Sequence, residues 1–199
     1  MQRPDPAKRA QILTTAARLF ATKPFHEVKL DAIAEKARIG KGTLYVYFAS
    51  KEDLYISLVH EALSRLVDDV RADLVAASSK TEARLAIVIG KLVDFAYAFP
   101  DLFELLRAGL HFSDKKLLEK RAELAQVVEE VLRAGVRRRE IEDAHPELTA
   151  QYVLAFLRVA MLHRPEGTTA RKLKDHMLRV LSRGLFTGRA VKARKKARR

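Results

Sequence analysis

The densest run of groups suited to recognition chemistry is Lys41-Gly42-Thr43-Leu44-Tyr45-Val46-Tyr47-Phe48. On a helix turning about 100° per residue, committing Leu44 and Phe48 inward places Gly42, Thr43 and Val46 on the opposite side, with Lys41, Tyr45 and Tyr47 on its flanks. That surface is small, rich in hydroxyls and partly apolar. Small residues let a helix approach a major groove closely, and Thr and Tyr hydroxyls reach phosphates or base edges. An exposed valine can meet a thymine methyl, and an amine near the helix start, here Lys41, can donate to a guanine edge or a phosphate. A plain aromatic core stripe does not account for the run, because positions 45, 47 and 48 cannot be buried together. Gly40-Lys41-Gly42-Thr43 lacks the earlier glycine and preceding strand of a phosphate loop, so nucleotide binding is not expected.

The elements that must hold this run are legible around it. Leu30, Ile33, Ala34 and Ala37 mark a short helix, separated from Leu44 and Phe48 by Arg38-Ile39-Gly40. Two helices this short cannot bury both apolar faces alone. A preceding helix must pack across them, and Asp5-Pro6 opens one whose face carries Ile12, Leu13, Ala16, Ala17, Leu19 and Phe20 before Lys23-Pro24 ends it. The result is a helix-turn-helix unit over residues 1–50. Ser50-Lys51-Glu52-Asp53 then reads as a capping box before a long helix through Leu54, Leu58, Leu66, Val70 and Leu74. Further helices are expected from Leu85 to Phe99, near 101–112, near 114–139, from Pro146, and after Thr168-Thr169 to about Phe186. No stretch alternates as a strand and no internal repeat is seen. The expected fold is all-α, about nine helices: the three-helix unit, a helical bundle over 51–187, and a basic disordered tail over 188–199.

The net charge of +13 lies at the two ends of the chain. Residues 1–51 hold ten Lys or Arg against four acids, residues 188–199 hold seven cations and no acid, and the middle sums to zero. Ends of this kind suit a polyanion, although the tail can equally be a solvated run. With no cysteine there is no disulfide, thiol nucleophile or thiolate zinc site. The six histidines show no metal-ligand spacing, and no paired-carboxylate or Ser-His motif occurs, so neither enzyme chemistry nor a cofactor is expected. No apolar run reaches the roughly 18 residues of a membrane span and the N-terminus lacks a signal-like apolar core, which leads us to expect a soluble cytoplasmic protein.

Ile33-Ala34, followed by Gly42-Thr43-Leu44-Tyr45-Val46-Tyr47-Phe48-Ala49-Ser50-Lys51-Glu52-Asp53-Leu54, resembles the signature of the TetR/AcrR family of transcriptional regulators. The likeness runs from residue 7 to about 55. It implies that Lys41, Thr43 and Val46 reach base edges, that Tyr45, Tyr47 and Lys51 hold phosphates, and that Gly42 lies in the same DNA-binding face. The chain departs from the family pattern in three places: Val28-Lys29 stands where a hydroxyl residue usually caps the second helix, Arg38 where the turn usually has glycine, and Gly40 where serine usually caps the third helix.

The resemblance also implies that the C-terminal helices form a dimer interface and a pocket for a small, usually apolar effector. For the pocket, Tyr97, Phe99, Phe103, Arg107, Leu110 and His111 cluster around Pro100, where a broken helix pair can leave an aromatic-lined cavity; ordinary core packing is the competing reading. For the interface, residues 152–162 carry one charge, Arg158, and are apolar nearly all round. The last helix offers a matching stripe, so Phe156, Val159, Met177 and Leu181 are the candidates, against a monomeric core as the alternative. The expected function is sequence-specific, dimeric binding of a pseudo-palindromic DNA operator, with repression relieved by an effector. The alternative is a basic protein that coats nucleic acid without sequence preference.

Overall fold

The computed structural model describes residues 5–77, 80–102 and 115–185. Among these there are eight α-helices, one 3-10 turn and no strand, as the apolar periodicity predicts. The chain divides into two compact units whose boundary falls between Leu63 and Ser64. The tail expected over 188–199, and all but the start of the helix expected near 101–112, lie outside the described residues.

In the first unit, α1 (Pro6–Phe20) begins where Asp5 accepts the Ala7 N–H at 2.9 Å and proline occupies the first turn. Its inward face is Ile12, Leu13, Ala16 and Leu19. A 3-10 turn, Phe25–Glu27, leads to α2 (Leu30–Lys36), which buries Ile33 and Ala34. α2 starts without a side-chain cap, as the missing hydroxyl at 28–29 implies. It ends in a Schellman motif: the Ile39 N–H donates to the Ala34 carbonyl and the Arg38 N–H to that of Glu35, each at 3.0 Å. The motif puts Arg38 at φ 53°, the left-handed region that glycine adopts without strain.

The short α3 (Lys41–Tyr47) follows, fixed by Leu44 and Phe48, which are 0% and 1% exposed. The Gln11 side-chain amide donates to the Ala37 carbonyl at 2.9 Å and ties α1 to the end of α2. α4 (Lys51–Ala76) opens as the capping box predicts: the Asp53 N–H donates to Ser50 Oγ at 3.0 Å, and Asp53 Oδ2 accepts the Ala49 N–H at 2.9 Å. Its first turns bury Leu54, Tyr55 and Val59, and the Tyr55 ring meets Phe20 and Phe25 edge-on at 4.9 and 5.2 Å. The unit boundary therefore lies inside α4 rather than at its start.

The second unit is built around α5 (Thr81–Ala98), which packs against α6 (Lys115–Arg137), α7 (Pro146–His163) and α8 (Ala170–Leu185). The core is aliphatic: Leu85, Val88, Ile89, Leu92 and Val93 of α5 face buried residues such as Val128, Leu132, Val153 and Met177. As predicted, Pro146 opens α7 and Thr169 precedes α8, accepting the Lys172 N–H on its Oγ1 at 3.3 Å.

α6 ends in a second Schellman motif. Here the Glu140 N–H donates to the Gly135 carbonyl, the Arg139 N–H to that of Val136, and Arg139 sits at φ 59°. The turn aims Glu140 at the start of α5, whose Thr81 N–H donates to Glu140 Oε2 at 2.6 Å. Arg138 donates to Glu140 Oε1 at 3.0 Å and to Thr81 Oγ1 at 3.1 Å. The Thr81 hydrogen bonds, aided by Arg138, draw the Glu140 carboxyl down to a pKa of about 2 from its ordinary 4.5.

Candidate nucleic-acid interface

α3 shows the two-sided character that its sequence requires. With Leu44 and Phe48 buried, Val46 is 65% and Tyr45 47% exposed, Lys41 and Gly42 are exposed, and Thr43 and Tyr47 are half-buried. Gly42 adopts ordinary helical backbone, and a Cβ built on it meets nothing within 4 Å. The protein itself therefore makes no steric demand for glycine at this position.

Three of the polar side chains expected to hold DNA, Lys41, Tyr47 and Lys51, each have a partner within the unit. Lys41 Nζ lies 2.8 Å from Asp31 Oδ1 on α2, and this hydrogen bond and charge raise the lysine pKa further above its ordinary value. The Tyr47 hydroxyl accepts the Asp5 N–H at 2.9 Å, so its own proton can be donated outward. Lys51 Nζ donates to the Phe25 carbonyl at 2.9 Å and sits 4.3 Å from the centre of the Phe25 ring, clipping the 3-10 turn to the start of α4. None of these contacts follows from helical periodicity, because each joins residues in different elements.

A family model described as bacterial regulatory proteins, tetR family, matches residues 12–58, which span α2, α3 and the start of α4. The chain is 27% identical over 140 residues to the fatty acid metabolism regulator protein of Bacillus subtilis, covering 68% of this chain and 72% of that one. It is 25% identical over 178 residues to the HTH-type transcriptional repressor KstR of Mycobacterium tuberculosis, covering 87% and 80%. Over residues 12–58 the chain thus carries the tetR-family sequence pattern. Its fold matches that of the Bacillus subtilis transcriptional regulator FadR, solved in complex with stearoyl-CoA, with a TM-score of 0.68 at 22% identity over 86% of this chain and 96% of that one. The chain is a DNA-binding transcriptional regulator, and the relatives it matches are regulators rather than enzymes.

The second unit departs in places from what the sequence suggests. Of the candidate pocket residues, Tyr97 donates its hydroxyl to the Thr168 carbonyl at 2.5 Å, and Arg164 lies 5.0 Å over its ring. Phe99 is half-buried with its ring 4.9 Å from Phe95, and Phe103, Arg107, Leu110 and His111 lie outside the described residues.

Of the candidate interface residues, Val159 is 54% exposed, Leu181 is half-buried, and Phe156 is half-buried with its ring 5.8 Å from that of His176. Met177 is a correction: at 0% exposure it points into its own chain's core, because one turn of helix aligns it with the buried Leu173. The apolar residues that do face outward on these helices include Leu148, Tyr152 and Val180, at 46%, 62% and 47% exposure. No helix among the described residues is long and apolar enough to cross a membrane.

Proposed function

We propose that the protein is a cytoplasmic repressor that binds a pseudo-palindromic operator as a homodimer, one α3 per half-site, and is released by a small, largely apolar effector of the fatty acyl-CoA class. The observation that carries the DNA reading is the exposed, small-residue face of α3, laid over buried Leu44 and Phe48. Lys41, Thr43 and Val46 then reach base edges while Tyr45, Tyr47 and Lys51 address phosphates. Dimerisation is supported by the outward stripe of Leu148, Tyr152 and Val159 on α7, with Val180 on α8. A partner burying that stripe removes apolar surface that a lone chain leaves in water. The effector class is suggested by a relative named for fatty acid metabolism and by the stearoyl-CoA bound to a structural neighbour. Such a ligand favours a dimer whose two recognition helices no longer match successive major grooves.

The test is enrichment of duplexes from a randomised pool by the purified full chain. A shared pseudo-palindrome bound roughly 10³-fold or more tightly than random duplex is expected, and so is loss of that binding on adding stearoyl-CoA. Equal affinity for all duplexes overturns the reading in favour of a coating protein. Val159→Glu combined with Tyr152→Glu is expected to give folded monomers whose operator affinity drops about a hundredfold or more, as linked half-sites become independent. Sedimentation of the unmodified protein as a monomer, with and without DNA, overturns the dimer.

A further inference from the structure

Lys41 is the one cation in α3, and its ammonium is held between both carboxylate oxygens of Asp31, at 2.8 Å from Oδ1 and 3.1 Å from Oδ2. Asp31 is the second residue of α2, and the two side chains are 65% and 60% exposed. An acid thus stands at the edge of the surface that meets a polyanion, in a stretch where cations outnumber acids ten to four.

We propose that Asp31 is a specificity-determining residue of the DNA face, acting as a brake that withholds Lys41 from phosphates on arbitrary sequence. This rests on the assignment of the α3 face to DNA. A lysine without a partner is drawn to any phosphate and adds affinity blind to sequence. A lysine already paired with a carboxylate exchanges one anion for another, and the displaced carboxylate is left beside the DNA backbone. Random duplex therefore gains little from Lys41. A G·C pair in the major groove changes the balance, because it presents guanine O6 and N7 as acceptors beside the cytosine amine as a donor. Lys41 can donate to the first while Asp31 accepts from the second, so the pair is satisfied as a unit where the operator supplies that edge. The raised pKa of Lys41 agrees with a close charge pair that keeps the ammonium protonated.

The experiment compares the unmodified full chain with Asp31→Asn, Lys41→Ala and the double variant, each titrated with random-sequence duplex and with duplex enriched by the unmodified protein. Asp31→Asn is expected to bind random duplex up to about fivefold more tightly, the worth of an exposed ion pair. Its log affinity should fall about one unit more steeply with log salt, as one more phosphate contact requires. Affinity for the enriched duplex should rise less, so the ratio between the two narrows. In the Lys41→Ala background the same change should do nothing. Asp31→Ser serves as a second variant, since serine also suits the start of a helix, and circular dichroism checks that helix content is kept.

An unchanged random-duplex affinity, an equal rise on both duplexes, or the same rise without Lys41 each overturns the proposal. The last of these assigns the effect to bare charge repulsion. If the pool yields no preferred duplex, the operator reading fails, while the random-duplex comparison still decides whether Asp31 restrains Lys41.

Discussion

The two units each turn a helix end with the same device and use it differently. At the end of α2 and again at the end of α6, a Schellman motif forces an arginine, Arg38 or Arg139, into left-handed backbone at φ 53° and 59°. In the first unit the turn delivers the chain, after Ile39 and Gly40, into α3. In the second it delivers Glu140 to the start of α5, where a carboxylate from 59 residues away does the work of an N-cap. The residue four places before each left-handed arginine is small in both, but for different reasons. Ala34 already carries a Cβ, whereas a Cβ on Gly135 would lie 2.5 Å from Thr81 Oγ1 and 2.7 Å from Thr81 Cγ2. One turn is a connector and the other is a clasp between helix ends.

The sharpest way to break this contrast is Gly135→Ala. Thr81 is fully buried and its short branched side chain cannot swing away, so overpacking is expected to cost about 1–3 kcal/mol in urea denaturation. A neutral result would mean that the clasp is looser than its distances imply.

Arg38→Gly and Arg139→Gly, made separately, are each expected to raise stability by up to about 1 kcal/mol, by relieving the left-handed arginine. Equal gains would establish that backbone strain is all the two positions share. A smaller gain at one of them would locate a compensating role for that arginine side chain.

The smallest effect separates the turns by pH. Glu140 has a folded pKa of about 2, below its ordinary 4.5, so its stabilising contribution is complete above about 4.5 and is lost as pH falls toward 2. Glu140→Gln should therefore melt lower than the unmodified protein at neutral pH, show a flatter decline between pH 4.5 and 2, and converge with it near pH 2. Parallel melting curves across that range would remove the clasp's electrostatic component.

Local chemistry was legible in the sequence and tertiary pairing was not. Asp5-Pro6, the capping box at Ser50 to Asp53, Pro146 and Thr169 act on backbone groups within a few residues, so their types alone announce the helix starts. The inward and outward faces of α3 followed likewise from its own spacing. By contrast, nothing in the spacing announces that Lys41 meets Asp31, that Lys51 meets the Phe25 carbonyl, or that Tyr97 spends its hydroxyl on Thr168. Met177 shows a second limit. An apolar stripe on α8 declares that it will be covered, but not whether by its own chain or by another.

Gly42 has a consequence that reaches beyond one protein's stability. A glycine in an exposed helix forgoes about 1 kcal/mol relative to alanine. The open space around it means that a Cβ can be added without disturbing a neighbour. Under the proposed DNA reading of α3, folding and recognition are thus uncoupled at this position. A saturation library there would leave nearly every member folded and would sort them by the DNA they accept. Such a position lets a regulator drift toward new operators without passing through unfolded intermediates.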